Sequence, residues 1–194
     1  MKIESTIARM VRRKSYLELT IFLLVLLLAS IFTYSASDSG NDNIKADTLN
    51  KDVAGDNSLY VVTRVIDGDT FVYDKNGQAI TVRLVGVDTP EIKDPRKPVQ
   101  CFGQEASNYT KSLLVGQKVK LAADTYENNL DKYGRELKYV WREDGLFVNA
   151  DLIEKGYAFA TPQYKFEYRD KFSAIQELAE ENKTGLWNPE KCNY

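Results

Sequence analysis

The 194-residue sequence contains no histidine, and this absence excludes several kinds of catalytic site. Ser-His-Asp and Cys-His nucleophilic sites need an imidazole, as do histidine general bases and nearly all catalytic zinc sites. Carboxylates therefore remain for acid–base and metal chemistry, with Arg, Lys and Tyr as helpers. Oxygen ligands of this kind suit hard cations such as calcium or magnesium.

The sequence also lacks a strong net charge. Its 26 Lys and Arg residues against 28 Asp and Glu residues give a formal net charge of -2. A uniformly basic surface that coats nucleic acid is thus excluded, so any phosphate binding must come from a local cluster. A hydrophobic content of 43% and a charged content of 28% are ordinary for one globular domain with accessory segments.

Long hydrophobic runs are absent except near the N-terminus. Residues 1–15 are basic and precede an apolar stretch over residues 16–35, which predicts an export signal with a cytoplasmic N-region. A membrane-spanning helix needs about 20 apolar residues, so a retained anchor and a signal peptide cleaved near Ser35-Ala36-Ser37 both fit. The anchor is slightly favoured, and a buried helix of a soluble domain is the weakest alternative. We expect the remainder of the chain to be extracytoplasmic.

Residues 36–57 are rich in Ser, Asp, Asn and Gly, which predicts a disordered, flexible linker. A folded domain is then expected over residues 58–194. Its two cysteines, Cys101 and Cys192, make a poor metal site without histidine, and an oxidising compartment favours a disulfide between them. Two free thiols are the alternative. The bridge would close a loop of roughly 90 residues and stabilise the fold by about 2–4 kcal/mol.

Alternating β-branched residues and turn signals predict five strands, over residues 60–66, 70–73, 80–85, 118–123 and 137–141. Asp67-Gly68 and Asn76-Gly77 are typical of the turns between the first three strands. Helices are predicted over residues 102–115, 148–155 and 169–182, the last with Phe172, Ile175, Leu178 and Ala179 on one face. This order predicts an α+β, mainly β domain, namely a five-stranded OB-fold barrel capped by about three helices.

Carboxylates flank the predicted three-stranded meander. In a curled sheet the start of the second strand approaches the end of the third, so we expect Asp69, Asp88 and Glu91 in one oxygen-rich pocket. Arg83 on the third strand could point into it. Acidic groups at this density repel one another unless a cation or arginines neutralise them. Each feature alone also has a plainer interpretation as a turn, a helix start or a solvated arginine.

Taken jointly, four motifs match the staphylococcal nuclease (thermonuclease) family in order and approximate spacing. They are Asp67-Gly68-Asp69-Thr70, Arg83-Leu84, Val87-Asp88-Thr89-Pro90-Glu91 and Asp131-Lys132-Tyr133-Gly134-Arg135. The sequence resembles this family over about residues 60–190, including Gly103, Glu105, Ala106 and Gly185-Leu186-Trp187. The resemblance implies an OB barrel, calcium dependence, and endonuclease activity on DNA and RNA that leaves 3′-phosphate ends.

The resemblance also implies roles for particular residues. The implied calcium ligands are the carboxylates of Asp69 and Asp88 and the backbone carbonyl of Thr89. The implied catalytic residues are the general base Glu91 and the phosphate-binding Arg83 and Arg135. Two arginines supply permanently charged bidentate clamps, and a carboxylate can activate water without histidine.

The resemblance places Lys132 and Tyr133 near the bound nucleotide. The stretch from Tyr157 to Tyr168 is shorter than in the family archetype, whose tyrosines contact the nucleotide here. Tyr164 and Tyr168 could replace them as stacking platforms. The expected partners are single-stranded DNA and RNA, with the membrane as a further partner if the N-terminal stretch is retained, and a monomer is expected.

Two non-enzymatic functions compete with this interpretation. One is a membrane-tethered OB module that binds single-stranded nucleic acid without cutting it. The other is a calcium-stabilised surface domain with no nucleic-acid role, which leaves the two arginines unexplained. Domains used only for binding tend to lose the acidic and arginine positions, and all five are present here. The enzyme is therefore favoured.

Overall fold

In the computed structural model, residues 58–92, 98–126 and 128–192 are described. The predicted N-region, apolar stretch and linker over residues 1–57 lie outside the described residues. Within the described ranges, no helix has the length and apolar character that a membrane crossing requires.

The strands form a barrel and a small separate pair. Their bounds are Tyr60–Asp67 (β1), Thr70–Lys75 (β2), Gln78–Leu84 (β3), Val87–Asp88 (β4), Lys118–Ala122 (β5), Glu136–Arg142 (β6) and Phe159–Ala160 (β7). The barrel is closed in the order β1-β2-β3-β6-β5. Its neighbours are antiparallel except β3 and β6, which run parallel. The predicted five-stranded OB-type barrel is confirmed.

Alternation along the strands fills the barrel interior. Val62, Phe71, Val82, Val119 and Tyr139 come from five different strands, and all are fully buried. Burying aliphatic and aromatic side chains from every strand supplies the main free energy that closes the barrel. Val62 and Val82 have more exposed neighbours on either side, as a period of two requires, whereas Phe71 lies in a run of four buried residues, Thr70–Tyr73.

The first two turns differ in how well the sequence predicted them. Asn76 and Gly77 both have positive φ, at 55° and 85°, as the second hairpin requires and as these residue types predict. In the first hairpin, Asp67 pairs with Thr70, so the turn residues are Gly68 and Asp69. The prediction of an Asp67-Gly68 turn was wrong by one residue, because β1 runs one residue further. Asp69 therefore lies in the turn itself.

Three helices cover the barrel, namely Gly103–Leu114 (α1), Val148–Glu154 (α2) and Arg169–Glu181 (α3). All three match predicted segments to within a residue at each end. On α3 the residues Phe172, Ile175 and Ala179 are buried, whereas Leu178 on the same face is 37% exposed. Leu178 lies at the edge of the apolar stripe, where the helix turns toward solvent.

The short strands β4 and β7 were not predicted. They pair antiparallel, with Val87 opposite Ala160 and Asp88 opposite Phe159. This pairing attaches the segment after β3 to the segment after α2. It therefore sets the position of Asp88, which the sequence singled out.

The C-terminal segment is held to the body by a close backbone contact and a disulfide. Gly156 and Gly185, both with positive φ, approach so closely that a Cβ on either would collide with the other's backbone. Leu186 is fully buried, and its N–H donates to the carbonyl of Gly156 at 2.8 Å. Beyond it, Cys192 forms a disulfide with Cys101, 91 positions earlier, with a Cα–Cα distance of 5.9 Å.

Candidate active site

The buried carboxylate of Asp69 is the centre of the candidate site. The residue as a whole is 2% exposed. Oδ1 accepts a hydrogen bond from the Thr70 hydroxyl at 2.9 Å and pairs with Arg83. Oδ2 accepts from the N–H of Thr89 at 3.0 Å and from its hydroxyl at 3.1 Å. These bonds join the β1–β2 turn to the segment after β4, which the sequence could only suggest.

Arg83 bridges two carboxylates. On β3 it lies opposite Thr70, which brings its guanidinium to Asp69. Its Nη2 also donates to Asp88 at 2.7 Å and to the carbonyl of Val87 at 3.1 Å. Burial disfavours the charged guanidinium, but the two carboxylates outweigh this cost and raise the pKa of Arg83 above its usual value. Arg83 therefore stays charged and neutralises the acidic pair.

Glu91 lies beside Asp67, a residue that the sequence analysis did not assign to the site. Burial, together with the charges of Asp69 and Glu91 and a side-chain hydrogen bond with Glu91, raises the pKa of Asp67 to about 6. The N–H of Gly68 opposes this rise by donating to Asp67 Oδ1 at 2.8 Å. The sequence could have indicated Asp67 as a site residue, because it flanks the same turn that carries Asp69. The site thus contains a fourth acidic side chain.

The turn that carries Asp69 is packed from two sides. The carbonyl of Gly68 accepts a hydrogen bond from the buried hydroxyl of Thr110 on α1 at 2.6 Å. A Cβ on Gly68 would lie 2.6 Å from Thr89 Oγ1, so no side chain fits between the turn and the Thr89 segment. Helix α1 and the Thr89 segment therefore fix the carboxylate of Asp69 in place.

Arg135 contacts Thr70, the residue that follows Asp69. Its Nε pairs with Asp131 Oδ2 at 2.6 Å, and its Nη1 donates to the hydroxyl of Thr70 at 3.4 Å. Although burial opposes it, hydrogen bonds from Arg135 and from the N–H of Tyr133 lower the pKa of Asp131. Asp131 thus fixes the Arg135 side chain through its Nε. The structure brings Arg83 and Arg135 together around Asp69 and Thr70, where the β1–β2 turn meets β2.

A cavity of about 440 Å³ opens next to the two arginines. It is bounded by the β3–β4 segment, the loop before β6 and the segment after β7. Lys132 and Tyr133 both line it, and Tyr133 is 71% exposed, with the Lys132 amine 5.0 Å from its ring centre. An exposed aromatic face beside cationic groups can stack a nucleobase while the arginines hold a phosphate.

The two tyrosines weighed as stacking platforms have different surroundings. Tyr164 is 58% exposed and lines the cavity. Tyr168 is 2% exposed and packs edge-on against Tyr139 in the core. The suggestion that Tyr168 stacks on a nucleotide is therefore wrong, because its ring is a core side chain.

The residues implied as calcium ligands offer oxygen donors only. Asp69 and Asp88 both form ion pairs with Arg83, and the N–H of Thr89 donates a hydrogen bond to Asp69. The three residues therefore lie close together. An all-oxygen set fits a hard divalent cation in kind. Among the described residues, no group of three or more His, Cys, Asp or Glu side chains is spaced to hold a metal. The guanidinium of Arg83 supplies the positive charge between the two carboxylates.

Comparison with known proteins agrees with this geometry. Residues 81–189 match the family model described as "Staphylococcal nuclease homologue". The chain is 44% identical to the thermonuclease of Staphylococcus hyicus over 132 residues, covering 66% of this chain and 75% of that protein. It is 40% identical to the thermonuclease of Staphylococcus intermedius over 173 residues, covering 88% and 98%.

A more distant similarity extends to Bacillus. The chain is 39% identical to endonuclease YncB of Bacillus subtilis over 127 residues, which cover 64% of this chain and 59% of that protein. The barrel, the paired arginines and the acidic turn are thus found in a chain whose reported relatives align with 64–88% of its length. The chain belongs to the staphylococcal nuclease family.

Proposed function

We propose that this chain is a calcium-dependent endonuclease that hydrolyses phosphodiester bonds in DNA and RNA. Membership of the family, with its acidic and arginine positions present, makes the chain a nuclease and hence a hydrolase of phosphate esters. The observation that carries the proposed reaction is that Arg83 and Arg135 both contact the segment Asp69-Thr70, at the end of the β1–β2 turn. Two fixed guanidinium groups beside a cluster of carboxylates suit a reaction at a phosphate diester.

The arginines bind and polarise the phosphate. Arg135 is held by Asp131, and its remaining N–H groups are available to a phosphate oxygen. Arg83 approaches from β3 and carries a charge that the surrounding carboxylates secure. Charge on the phosphate oxygens grows in the transition state, so preorganised guanidinium groups stabilise it more than the ground state.

Glu91 takes the proton of the attacking water. It is a carboxylate in a histidine-free chain and lies beside Asp67, which flanks the turn that carries Asp69. A general base must lie within hydrogen-bond reach of the proton that it removes. Asp67 shares a hydrogen bond with Glu91 and can accept that proton, or hold Glu91 in place.

Asp69, Asp88 and the carbonyl of Thr89 are the groups that would hold calcium. When bound there, the ion supplies a Lewis acid that polarises a phosphoryl oxygen. Both carboxylates pair with Arg83, so its guanidinium lies next to the groups that would hold the ion and can bind the substrate phosphate there. The oxygen-only donor set supports calcium or another hard cation over zinc.

The cavity beside the arginines takes the nucleotide next to the scissile phosphate. Tyr133 and Tyr164 offer exposed rings, and Lys132 supplies a further positive charge. A base can stack there only when it is unpaired, which favours single-stranded substrates. The resemblance to the family supports cleavage that leaves 3′-phosphate ends, and we expect the enzyme to act as a monomer.

We also propose that the nuclease domain, residues 58–194, acts outside the cytoplasm. The apolar stretch over residues 16–35 supports export, with retention as an anchor slightly favoured over cleavage, and residues 36–57 would serve as a flexible linker. The disulfide between Cys101 and Cys192 supports an oxidising compartment. Mass spectrometry of the N-terminus in native membranes distinguishes a retained anchor from a cleaved signal.

The decisive experiment uses the full-length chain in detergent with a fluorescent single-stranded DNA oligonucleotide. We expect cleavage in millimolar calcium, loss of cleavage on addition of EGTA, and products that carry 3′-phosphates. Binding of the oligonucleotide without cleavage at millimolar calcium would instead support the tethered binding module.

A further inference from the structure

The backbone of Glu91 is held by one residue, Gln100, through two hydrogen bonds. The side-chain oxygen of Gln100 accepts from the N–H of Glu91 at 2.7 Å. The N–H of Gln100 donates to the carbonyl of Glu91 at 2.9 Å. Glu91 lies in no helix or strand. These two bonds therefore satisfy both backbone polar groups of Glu91 and fix its position, as a paired strand does for a residue in a sheet.

Gln100 is in turn held by its covalent neighbour. Cys101 follows it directly and is joined to Cys192 by the disulfide. The N–H of Cys192 donates to the carbonyl of Asn188 at 3.0 Å. Leu186, six residues earlier, is fully buried, and its N–H donates to the carbonyl of Gly156 at 2.8 Å. The disulfide thus connects the residue after Gln100 to a firmly packed C-terminal segment.

Local contacts hold the same turn against α1. The N–H of Gly103 donates to the carbonyl of Gln100 at 3.1 Å, and the ring of Phe102 lies 5.5 Å from that of Tyr157. Helix α1 has no side-chain hydrogen bond at its N-cap. The hydrogen bond between Gly103 and Gln100 holds the turn locally. The disulfide adds a covalent attachment of this turn to the C-terminal segment.

We propose that Gln100 is a positioning residue for Glu91 and that the Cys101–Cys192 disulfide fixes Gln100 for this task. The inference rests on the proposed role of Glu91 as general base. Catalysis by a positioned base is sensitive to displacements of about 1 Å, which cost up to 100-fold in rate. The two arginines lie on β3 and just before β6, so neither depends on this turn for its position.

The experiment compares variants of the full-length chain by steady-state cleavage of single-stranded DNA and by amide hydrogen exchange. Gln100→Ala removes the acceptor of the Glu91 N–H. We expect about a tenfold fall in kcat, a KM within about twofold of the wild-type value, and faster exchange in the peptide that contains Glu91. Gln100→Glu keeps an acceptor oxygen and should restore both values.

The matched control is Gln104→Ala. Gln104 is an exposed glutamine on α1 whose side-chain N–H donates to Asn108 at 2.9 Å, away from Glu91. This variant should leave kcat and the exchange of the Glu91 peptide unchanged. If Gln104→Ala lowered kcat as much as Gln100→Ala does, the loss would not be specific to the residue that contacts Glu91. That result would overturn the proposal.

The disulfide is tested with the double variant Cys101→Ser/Cys192→Ser. We expect faster exchange of the Glu91 peptide and a fall in kcat like that of Gln100→Ala, without a further fall when the two changes are combined. Unchanged exchange in the double variant would overturn the role of the disulfide. If the wild-type chain does not cut DNA, the proposed function fails, while the exchange measurements still decide whether Gln100 holds Glu91. Full kcat in Gln100→Ala, with an active wild type, overturns the inference alone.

Discussion

Arg83 neutralises the buried carboxylate of Asp69 and extends the same guanidinium to Asp88, so one arginine serves both implied calcium ligands. In the folded chain, the pair is formed by side chains 14 positions apart, on β3 and in the β1–β2 turn. A buried carboxylate without a partner is costly. We therefore expect Arg83 to contribute to stability, in addition to its proposed role in binding phosphate.

Removing the guanidinium should destabilise the calcium-free protein. In EGTA, Arg83→Ala leaves Asp69 buried without a counter-charge, and we expect a loss of about 3 kcal/mol in the free energy of unfolding. Calcium should restore part of this loss, because a cation can take the place of the guanidinium. The control is Arg169→Ala, which breaks an exposed pair with Asp170 and should cost less than about 0.5 kcal/mol. Urea titrations with and without calcium measure both. Equal losses in the two variants would contradict the buried pair.

Arg135 should matter for turnover rather than for folding. Arg135→Ala removes a guanidinium that we propose binds the substrate phosphate, and we expect kcat to fall by about 100- to 1,000-fold. Arg64→Ala, at an exposed arginine on β1, should leave kcat unchanged. The measurement is single-stranded DNA cleavage in calcium, with urea unfolding in parallel. A loss of stability that matches the loss of activity would assign Arg135 a structural role instead.

Asp67 should make stability depend on pH in the calcium-free protein. Its folded-state pKa is raised from 3.8 to about 6. A raised carboxyl pKa favours the folded state fully below pH 3.8, and this advantage is lost as the pH rises through 6. Asp67→Asn cannot ionise, so we expect it to exceed the wild type by about 1 kcal/mol at pH 7.5, with allowance for solvent screening. The difference should vanish below pH 4. Urea unfolding in EGTA across this range measures it, and a difference independent of pH would contradict the raised pKa.

Gly103 should be intolerant of even a methyl group. A Cβ there would lie 2.5 Å from Ile92 Cγ2 and 2.9 Å from the carbonyl oxygen of Pro90. Although alanine favours helices, we expect Gly103→Ala to cost about 1–3 kcal/mol, because α1 would be pushed off the segment that carries Glu91. Lys111→Ala, at an exposed position of the same helix, should stay within about 0.5 kcal/mol of the wild type. Thermal unfolding compares the two, and a stabilised Gly103→Ala would show that this packing is looser than described.

Replacing the two tyrosines Tyr164 and Tyr168 should affect different properties, namely substrate binding for the first and folding stability for the second. Tyr164→Ala removes an exposed ring at the cavity, so we expect KM for single-stranded DNA to rise several-fold with stability unchanged. Tyr168→Ala empties a core position and should cost about 3–5 kcal/mol. Steady-state kinetics and urea unfolding of both variants measure these effects. An unchanged KM in Tyr164→Ala would exclude that ring from the nucleotide site.

Local pattern was enough to predict most of the fold. The alternation in β1, the Asn76-Gly77 turn and the amphipathic helices are properties of neighbouring residues. The two strands that were missed, β4 and β7, pair with each other. Each has only two residues, which is too short for an alternating hydrophobic pattern to be recognised. The turn at Gly68-Asp69 was misplaced by one residue, because alternation does not specify where a strand ends when its partner decides the register.

The sequence by itself determined the chemistry that this chain can perform. Without histidine it is restricted to carboxylates, arginines and hard cations, and its motifs supply Asp69, Asp88, Glu91 and two arginines in order. The tertiary structure decided how these groups meet: Arg83 with Asp69, Arg135 with Thr70, and Glu91 with Gln100 behind a disulfide. Such contacts join residues up to 91 positions apart. They depend on barrel closure and strand register, which no local pattern specifies, because register is a property of two paired segments.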